Sequence, residues 1–327
     1  MEKISTPLTE MLGIKYPIIM APMFLVSNAD MLIAAINSGI TGTVPALNYR
    51  TDKEFRAAIQ QIRSAADGPI GINLIANKSN VRLKEQLDTC VELKVDYIIT
   101  SLGSPRKIIE KCKPAGIKVF CDVVDIHYAK KVEELGADAV IAVNKEAGGH
   151  AGPTKAAELV PALVNACNIP VISAGGVGNG FQWKEKLDLG AVGISMGSPF
   201  IATTEAGVSQ DYKQACVDYG SKDIVMTTKL SGTPCTVINT PYMKEIGTKQ
   251  NWVESILNKN KTLKKFAKML TFYKGMKMLE KAAFGATYKS VWCAGPSIEY
   301  VNSIRPVKEV VDQMVEEFAS VGVKNQA

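Results

Sequence analysis

The chain of 327 residues has no C-x-x-C pair among its seven cysteines, no Walker A sequence and no apolar run long enough to cross a membrane. Each absence removes a class of function. Cysteines scattered at Cys90, Cys112, Cys121, Cys167, Cys216, Cys235 and Cys293 build neither a disulfide framework nor a zinc site, so they read as reduced, mostly buried thiols and no metal is expected. The apolar stretch 17–22 is too short for a signal core or a membrane span, which predicts a cytoplasmic protein with no membrane association. What is present is ordinary for a soluble globular chain: 46% hydrophobic and 21% charged residues, with no bias towards disorder, collagen or coiled coil.

The formal charge of +6 is local. Residues 244–281 carry ten lysines against three glutamates, a balance of +7 that leaves about −1 for the rest of the chain. Nucleic-acid binding would need a reading motif or a stacking platform beside that patch, and neither occurs, so no nucleic-acid partner is expected.

From residue 17 to residue 196 one unit repeats: a short β-branched run, a loop of small or polar residues, then a helical stretch that often ends in glycine. This rhythm predicts parallel strands joined by helices. The expected strands are 18–21, 40–44, 70–74, 97–100, 118–122, 139–143, 170–174 and 192–196. Helices are expected at 28–38, 53–65, 81–94, 106–114, 126–135, 155–166 and 180–189, with Gly39, Gly116, Gly136 and Gly190 placed to end four of them. A doubly wound open sheet would most often carry its phosphate loop after the first strand. Here the glycine-rich segments follow strands seven and eight, where phosphate sites recur in closed barrels, and the fold class that follows is an α/β (β/α)₈ TIM barrel.

Regularity stops after Pro199. Leu263, Phe266, Leu270 and Tyr273 have amphipathic-helix spacing, so residues 206–286 are expected to form a helical, lysine-rich insertion beside the barrel mouth. Residues 1–205 and 287–327 would form the barrel. The tail 306–319, with Val307, Val310, Val311, Met314, Val315 and Phe318 on one face, predicts the last helix of the outer ring.

Three constellations could carry chemistry. The first is Ser173-Ala174-Gly175-Gly176-Val177-Gly178 with Met196-Gly197-Ser198: a phosphate needs backbone amides at close range, and glycine permits both the approach and the dihedrals. Neither segment is a Rossmann fingerprint, because Phe181 stands where its third glycine belongs. The second is Glu146-Ala147-Gly148-Gly149-His150-Ala151-Gly152 after strand six, where His150 projects from a loop of small residues at the catalytic end of a barrel and imidazole titrates near neutrality. His127, following Asp125 at a helix start, reads instead as a solvated first-turn residue. The third is Met20-Ala21-Pro22-Met23 with Asn73 and Ser101, where small residues could face a flat ring and Asn73 could meet its polar edge.

On these motifs the chain resembles the nitronate monooxygenase family, formerly the 2-nitropropane dioxygenases, which also contains FMN-dependent enoyl-acyl carrier protein reductases. The likeness runs through residues 17–23, Ala147 to Gly152, Pro170 to Val177, Met196 to Thr203 and Ala294-Gly295-Pro296-Ser297. It implies FMN, with the phosphate on Gly175, Gly176, Gly178, Gly197 and Ser198, the ring against Ala21, Pro22 and Met23, and Asn73 at the ring edge. Gly149 and Ser173 are counted with these cofactor contacts. It implies that His150 is the catalytic group, acting as base or orienting group for a nitronate, whereas in the reductases the matching histidine lies near the nicotinamide and acyl substrates.

Two departures count against a reductase: Met20-Ala21-Pro22-Met23 replaces Gln-Gly-Gly-Met, and Thr154-Lys155 replaces Thr-Thr. The stretch Thr43-Val44-Pro45-Ala46-Leu47-Asn48 also differs from the common glycine-rich version. The expected protein is an FMN-dependent oxidoreductase that oxidises alkyl nitronates with O₂. The alternatives are an NAD(P)H-dependent reductase of enoyl thioesters or quinones, and a flavin-binding partner protein whose lysines dock an acidic carrier. A homodimer is compatible with any of these.

Overall fold

Eight runs rich in valine and isoleucine pair in sequence order and close on themselves. They are β1 Ile18–Met20, β2 Thr41–Pro45, β3 Ile70–Ile75, β4 Tyr97–Ser101, β5 Lys118–Val123, β6 Ala139–Val143, β7 Val171–Ala174 and β8 Gly193–Met196, all parallel, with β8 returning to β1 through Ile18↔Ile194, Ile19↔Ser195 and Met20↔Met196. The (β/α)₈ barrel is therefore the fold. The computed structural model describes residues 2–78, 80–229, 234–249 and 291–324. The lysine-rich segment with Leu263, Phe266, Leu270 and Tyr273 lies outside them.

The connecting helices are α2 Ala29–Asn37, α3 Asp52–Ala65, α4 Leu83–Glu92, α5 Arg106–Cys112, α6 Ile126–Glu134, α7 Ala156–Ala166 and α8 Gly180–Asp188, preceded by α1 Pro7–Leu12. Side-chain oxygens of Asn28, Thr51, Asp125 and Asn179 cap four of them, accepting a bond from the first turn in each case. Gly39, Gly116, Gly136 and Gly190 all take the left-handed conformation expected of them. The closing helix, Val307–Lys324, packs on α8 and α2 with Val307, Val310, Val311, Met314 and Val315 buried. There Phe318 lies 4.2 Å, centroid to centroid, from Trp183, and the Glu317 carboxylate accepts the Gly180 amide at 2.8 Å.

Alternation along the strands divides the apolar residues into two cores. Ile19, Tyr97, Ile99, Phe120, Ile141 and Ile172 fill the barrel axis, and Leu8 and Leu12 of α1 cover its lower end. A polar-looking first segment, with Thr6 as N-cap and Gly13 in the left-handed region, thus becomes a plug that sequence periodicity did not reveal. The opposite faces of the strands meet the helices in the larger core.

Within residues 206–249 the chain forms α10 Gln210–Asp218 and α11 Pro241–Ile246, preceded by the short α9 Ser198–Ile201. It also forms an antiparallel pair, β9 Ile224–Thr227 with β10 Cys235–Ile238, in the stretch expected to be helical. Among the described residues no helix is long and apolar enough to cross a membrane.

Gly71 leaves the space that the Tyr97 ring occupies, since a Cβ there would stand 2.3 Å from Tyr97 Cζ. The ring cannot easily retreat, because its hydroxyl donates to Gly42 O at 2.8 Å and contacts Thr43 Oγ1 at 3.0 Å. Gly71→Ala is therefore expected to destabilise the barrel by about 1–3 kcal/mol, the usual cost of overpacking. Urea unfolding checks this, and an unchanged midpoint would contradict it.

Candidate functional site

The parallel strands end at one rim, and four loops meet there. The loop after β6 is organised by Asn144, which is fully buried. Its Nδ2 donates to Gly175 O at 3.0 Å and its Oδ1 accepts the Glu146 amide at 2.8 Å. Its own amide reaches Ala174 O at 3.0 Å, while its carbonyl receives Ala147 N and Gly152 N. The loop thus curls about one side chain that also ties it to β7. From the other side, Thr236 of β10 donates its amide to Gly149 O at 2.9 Å and its hydroxyl to Ala147 O at 3.0 Å. His150 follows, an exposed residue at the rim. Surrounding protein disfavours its charged form, which lowers its pKa and favours the neutral imidazole. His127 is also exposed, on α6, as expected of a first-turn residue.

After β7, Gly175 and Gly176 have φ of 105° and 72°, where side chains are disfavoured. A Cβ on Gly175 would stand 2.5 Å from Ala147 N, and one on Gly176 would overlap the Glu146 carboxylate, which packs over it. Among the described residues the amides of Gly176, Val177 and Gly197 donate to no protein acceptor, whereas the Gly178 amide is taken by Gln182 Oε1 at 2.8 Å. Ser198 Oγ accepts the Gly295 amide at 2.8 Å, which leaves its proton available. Amides without acceptors are what an anion requires of a backbone. The loop after β6 touches both neighbours, with Gly175 against Ala147 and Gly148 against Ser198, while Gly178 packs on Ser297 and Tyr300 with its amide already engaged.

The segment after β1 abuts this group. Ala21 N donates to Met196 O at 2.8 Å, and the Met23 side chain lies 3.2 Å from where a Cβ on Gly197 would be. Ala21, Pro22 and Met23 are half-buried at the rim. Asn48 clamps the following turn, donating to Ser27 O at 2.8 Å and accepting Leu25 N at 2.9 Å. The unusual stretch after β2 therefore holds the loop after β1.

Asn73 is buried on the same rim, and its Nδ2 donates to Ile99 O at 3.1 Å and Ser101 Oγ at 2.9 Å. Ser101 Oγ in turn donates to Asp122 Oδ2 at 2.6 Å. Asp122 was not singled out by its sequence context. Counting inward positions along β5 from Phe120 would have found it. Burial pushes its carboxyl up to about 6, against the opposing effect of the Ser101 hydrogen bond. Ser173 is not brought to the rim: it aligns with Ala142 and Ile194 of the helix-facing core, and its hydroxyl is buried there without a partner.

A family model described as nitronate monooxygenase matches residues 5–86 and 79–317. The chain belongs to the nitronate monooxygenase family. It is an oxidoreductase. It is 31% identical over 246 residues to a (3aS,4S,5R,7aS)-5-hydroxy-7a-methyl-1-oxo-octahydro-1H-indene-4-carboxyl-CoA dehydrogenase of Rhodococcus jostii, covering 75% of this chain and 69% of that protein. A probable nitronate monooxygenase of Staphylococcus saprophyticus is 28% identical over 289 residues, covering 75% of this chain and 81% of the relative. Among solved structures, FabK from Thermotoga maritima superposes with a TM-score of 0.85 at 28% identity over 99% of both chains. A nitroalkane oxidase from Streptomyces ansochromogenes shares the fold, with a TM-score of 0.81 at 22% identity over 97% of this chain and 99% of that one.

The raised pKa of Asp122 has a consequence for stability. An unfolded aspartate titrates near 3.9, so between roughly pH 4 and 6 the folded chain holds a proton that the unfolded chain releases. Its contribution to stability is greatest below that window and is lost as pH rises through about 6. Asp122→Asn is therefore expected to melt higher than the parent at pH 8 in the absence of ligand, with the difference closing towards pH 4. Parallel melting-temperature differences at both pH values would contradict the assignment.

Proposed function

We propose that the chain binds FMN across this rim and oxidises small carbanion-like substrates, alkyl nitronates foremost, with O₂. The observation that carries the reading is the set of acceptor-free amides at Gly176, Val177 and Gly197 on the same rim as the His150 loop. The residues present fit the cofactor. Gly175, Gly176, Gly197 and Ser198 would hold its phosphate, with Gly149 and Gly178 beside them, and Ala21, Pro22 and Met23 would face its ring. The Asn73 carboxamide oxygen has no donor among the described residues and would accept from the ring's imide edge. Glu146 opposes an anion at Gly176, so its side chain must turn outward as the phosphate enters. The flavin, when bound, supplies an acceptor for an electron or a hydride, and O₂ reoxidises it.

The remaining chemistry belongs to His150. A neutral imidazole can take the α-proton of a nitroalkane through its unprotonated nitrogen, or donate its N–H to an oxygen of a preformed nitronate. Thr236, Gly149 and Asn144 hold its loop, so the ring presents itself without a large search.

A second reading, an NAD(P)H-dependent reductase or dehydrogenase of acyl thioesters on the same flavin scaffold, is favoured by the carboxyl-CoA dehydrogenase name of the Rhodococcus relative. Anaerobic stopped-flow mixing separates the two. Propyl-2-nitronate is expected to bleach the bound flavin faster than NADH or NADPH does, and rapid bleaching by a nicotinamide alone would reverse the order of the readings. FMN bound without turnover of either substrate class would support a flavin-binding partner protein instead.

Replacing His150 with Asn should lower turnover of neutral nitroalkane by ~10²–10⁴-fold, the usual loss of a positioned general base. The nitronate, already deprotonated, should lose less. Equal, small losses for both substrates would remove His150 from the chemistry. Gly176→Val together with Gly197→Val is expected to abolish FMN binding, measured by quenching of flavin fluorescence, and retention of FMN in the folded double variant would relocate the phosphate.

A further inference from the structure

Three consecutive strands place Asn73, Ser101 and Asp122 in one hydrogen-bonded chain at the mouth of the barrel. Its direction is fixed by chemistry. The Asn73 amide group meets Ile99 O, a pure acceptor, so the –NH₂ end faces β4 and the carboxamide oxygen is turned away from it. Ser101 has a single hydroxyl proton. Asp122 takes it at 2.6 Å, which leaves a Ser101 lone pair for the second Asn73 N–H. Asp122 Oδ1 has no hydrogen-bond partner among the described residues, and it is not among their unpartnered fully buried atoms. The carboxylate thus orients Asn73 through Ser101 and presents one oxygen and a negative charge to the mouth.

We propose that Asp122 is a positioning residue for the flavin: through Ser101 it directs the Asn73 carbonyl oxygen at the imide edge of the ring, and its charge beside that edge makes the site hold oxidised flavin better than reduced. This rests on the reading of the rim as an FMN site. Flavin reduction adds negative charge to the pyrimidine portion of the ring, and a carboxylate held beside it in a partly desolvated setting opposes that charge. Asn73 faces an N–H donor in either redox state, so its contribution is to placement and affinity, while Asp122 adds a bias between the states.

The test compares the parent with Asp122→Asn, each loaded with FMN, by spectroelectrochemical titration of the flavin midpoint potential and by fluorescence titration of oxidised FMN. Asparagine can still accept the Ser101 proton but carries no charge. The variant is expected to bind oxidised FMN within about threefold of the parent, less than the loss of one typical hydrogen bond. Its preference for reduced over oxidised flavin should rise by at least tenfold, which is an upward potential shift of about 30 mV for a two-electron couple. An unchanged potential in a variant that binds FMN overturns the proposal while leaving the FMN reading intact. Failure of the parent itself to bind FMN overturns both. Should Asp122→Asn not fold, Ser101→Ala decides the positioning arm: it should weaken oxidised FMN several-fold, as expected for one hydrogen bond, and unchanged affinity there counts against the chain.

Discussion

The ladder between β1 and β8 is the contact on which the rim depends. Only three residue pairs, Ile18↔Ile194, Ile19↔Ser195 and Met20↔Met196, convert a twisted sheet into a closed barrel, supplemented by Ile194 N on Pro17 O at 2.9 Å and Ala21 N on Met196 O at 2.8 Å. Without closure the first strand and the last would stand at opposite edges of a sheet. With it, the segment 21–23 lies against Gly197, and residues separated by most of the chain come into contact. The plug formed by Leu8 and Leu12 serves the same end from below, because an axis lined by Ile19, Tyr97, Phe120 and Ile172 would otherwise be open to water.

Loop placement then falls to a few buried or half-buried polar side chains. Asn144 joins the loops after β6 and β7, Asn48 joins those after β1 and β2, and Ser198 joins the loop after β8 to Gly295. Each such bond contributes about 0.5–1.5 kcal/mol net, but leaving its partner buried and unmade costs about 1–3 kcal/mol, so the penalty for misplacement exceeds the gain from correct placement. Glycines make the approach geometrically feasible: Cβ atoms at Gly148 and Gly295 would each intrude on the other's loop. The rim is therefore an arrangement of backbones brought closer than side chains would allow, and the amides of Gly176, Val177 and Gly197 have no acceptor among the described residues.

The strands and outer helices were legible because their signals are local: β-branched runs, capping side chains and glycines after helices. The closing helix was legible for the same reason, its inner face repeating at helical spacing. The parts that escaped notice depend on register. Asp122 lies in Lys-Val-Phe-Cys-Asp-Val and acquires meaning only when β5 pairs with β4 so that it reaches Ser101. Thr236 matters because an antiparallel pair, in a stretch whose amphipathic lysine-rich pattern suggests only helix, brings it to Gly149. Ser173 shows the converse: grouped with Gly175 by proximity in sequence, it points to the helices, because Ile172 takes the inward position. Motif reading locates loops well, and strand parity decides which of their residues face the site.

The central claim is that four loops distant in sequence form one FMN site. Hydrogen–deuterium exchange of the whole chain, with and without saturating FMN, tests it directly. FMN is expected to slow exchange of backbone amides within residues 21–25, 144–152, 175–177 and 197–203 together, while the amides of β4 and β5 below the rim stay as slow as before. Protection confined to one of these loops, or centred on residues away from the rim, would contradict the account.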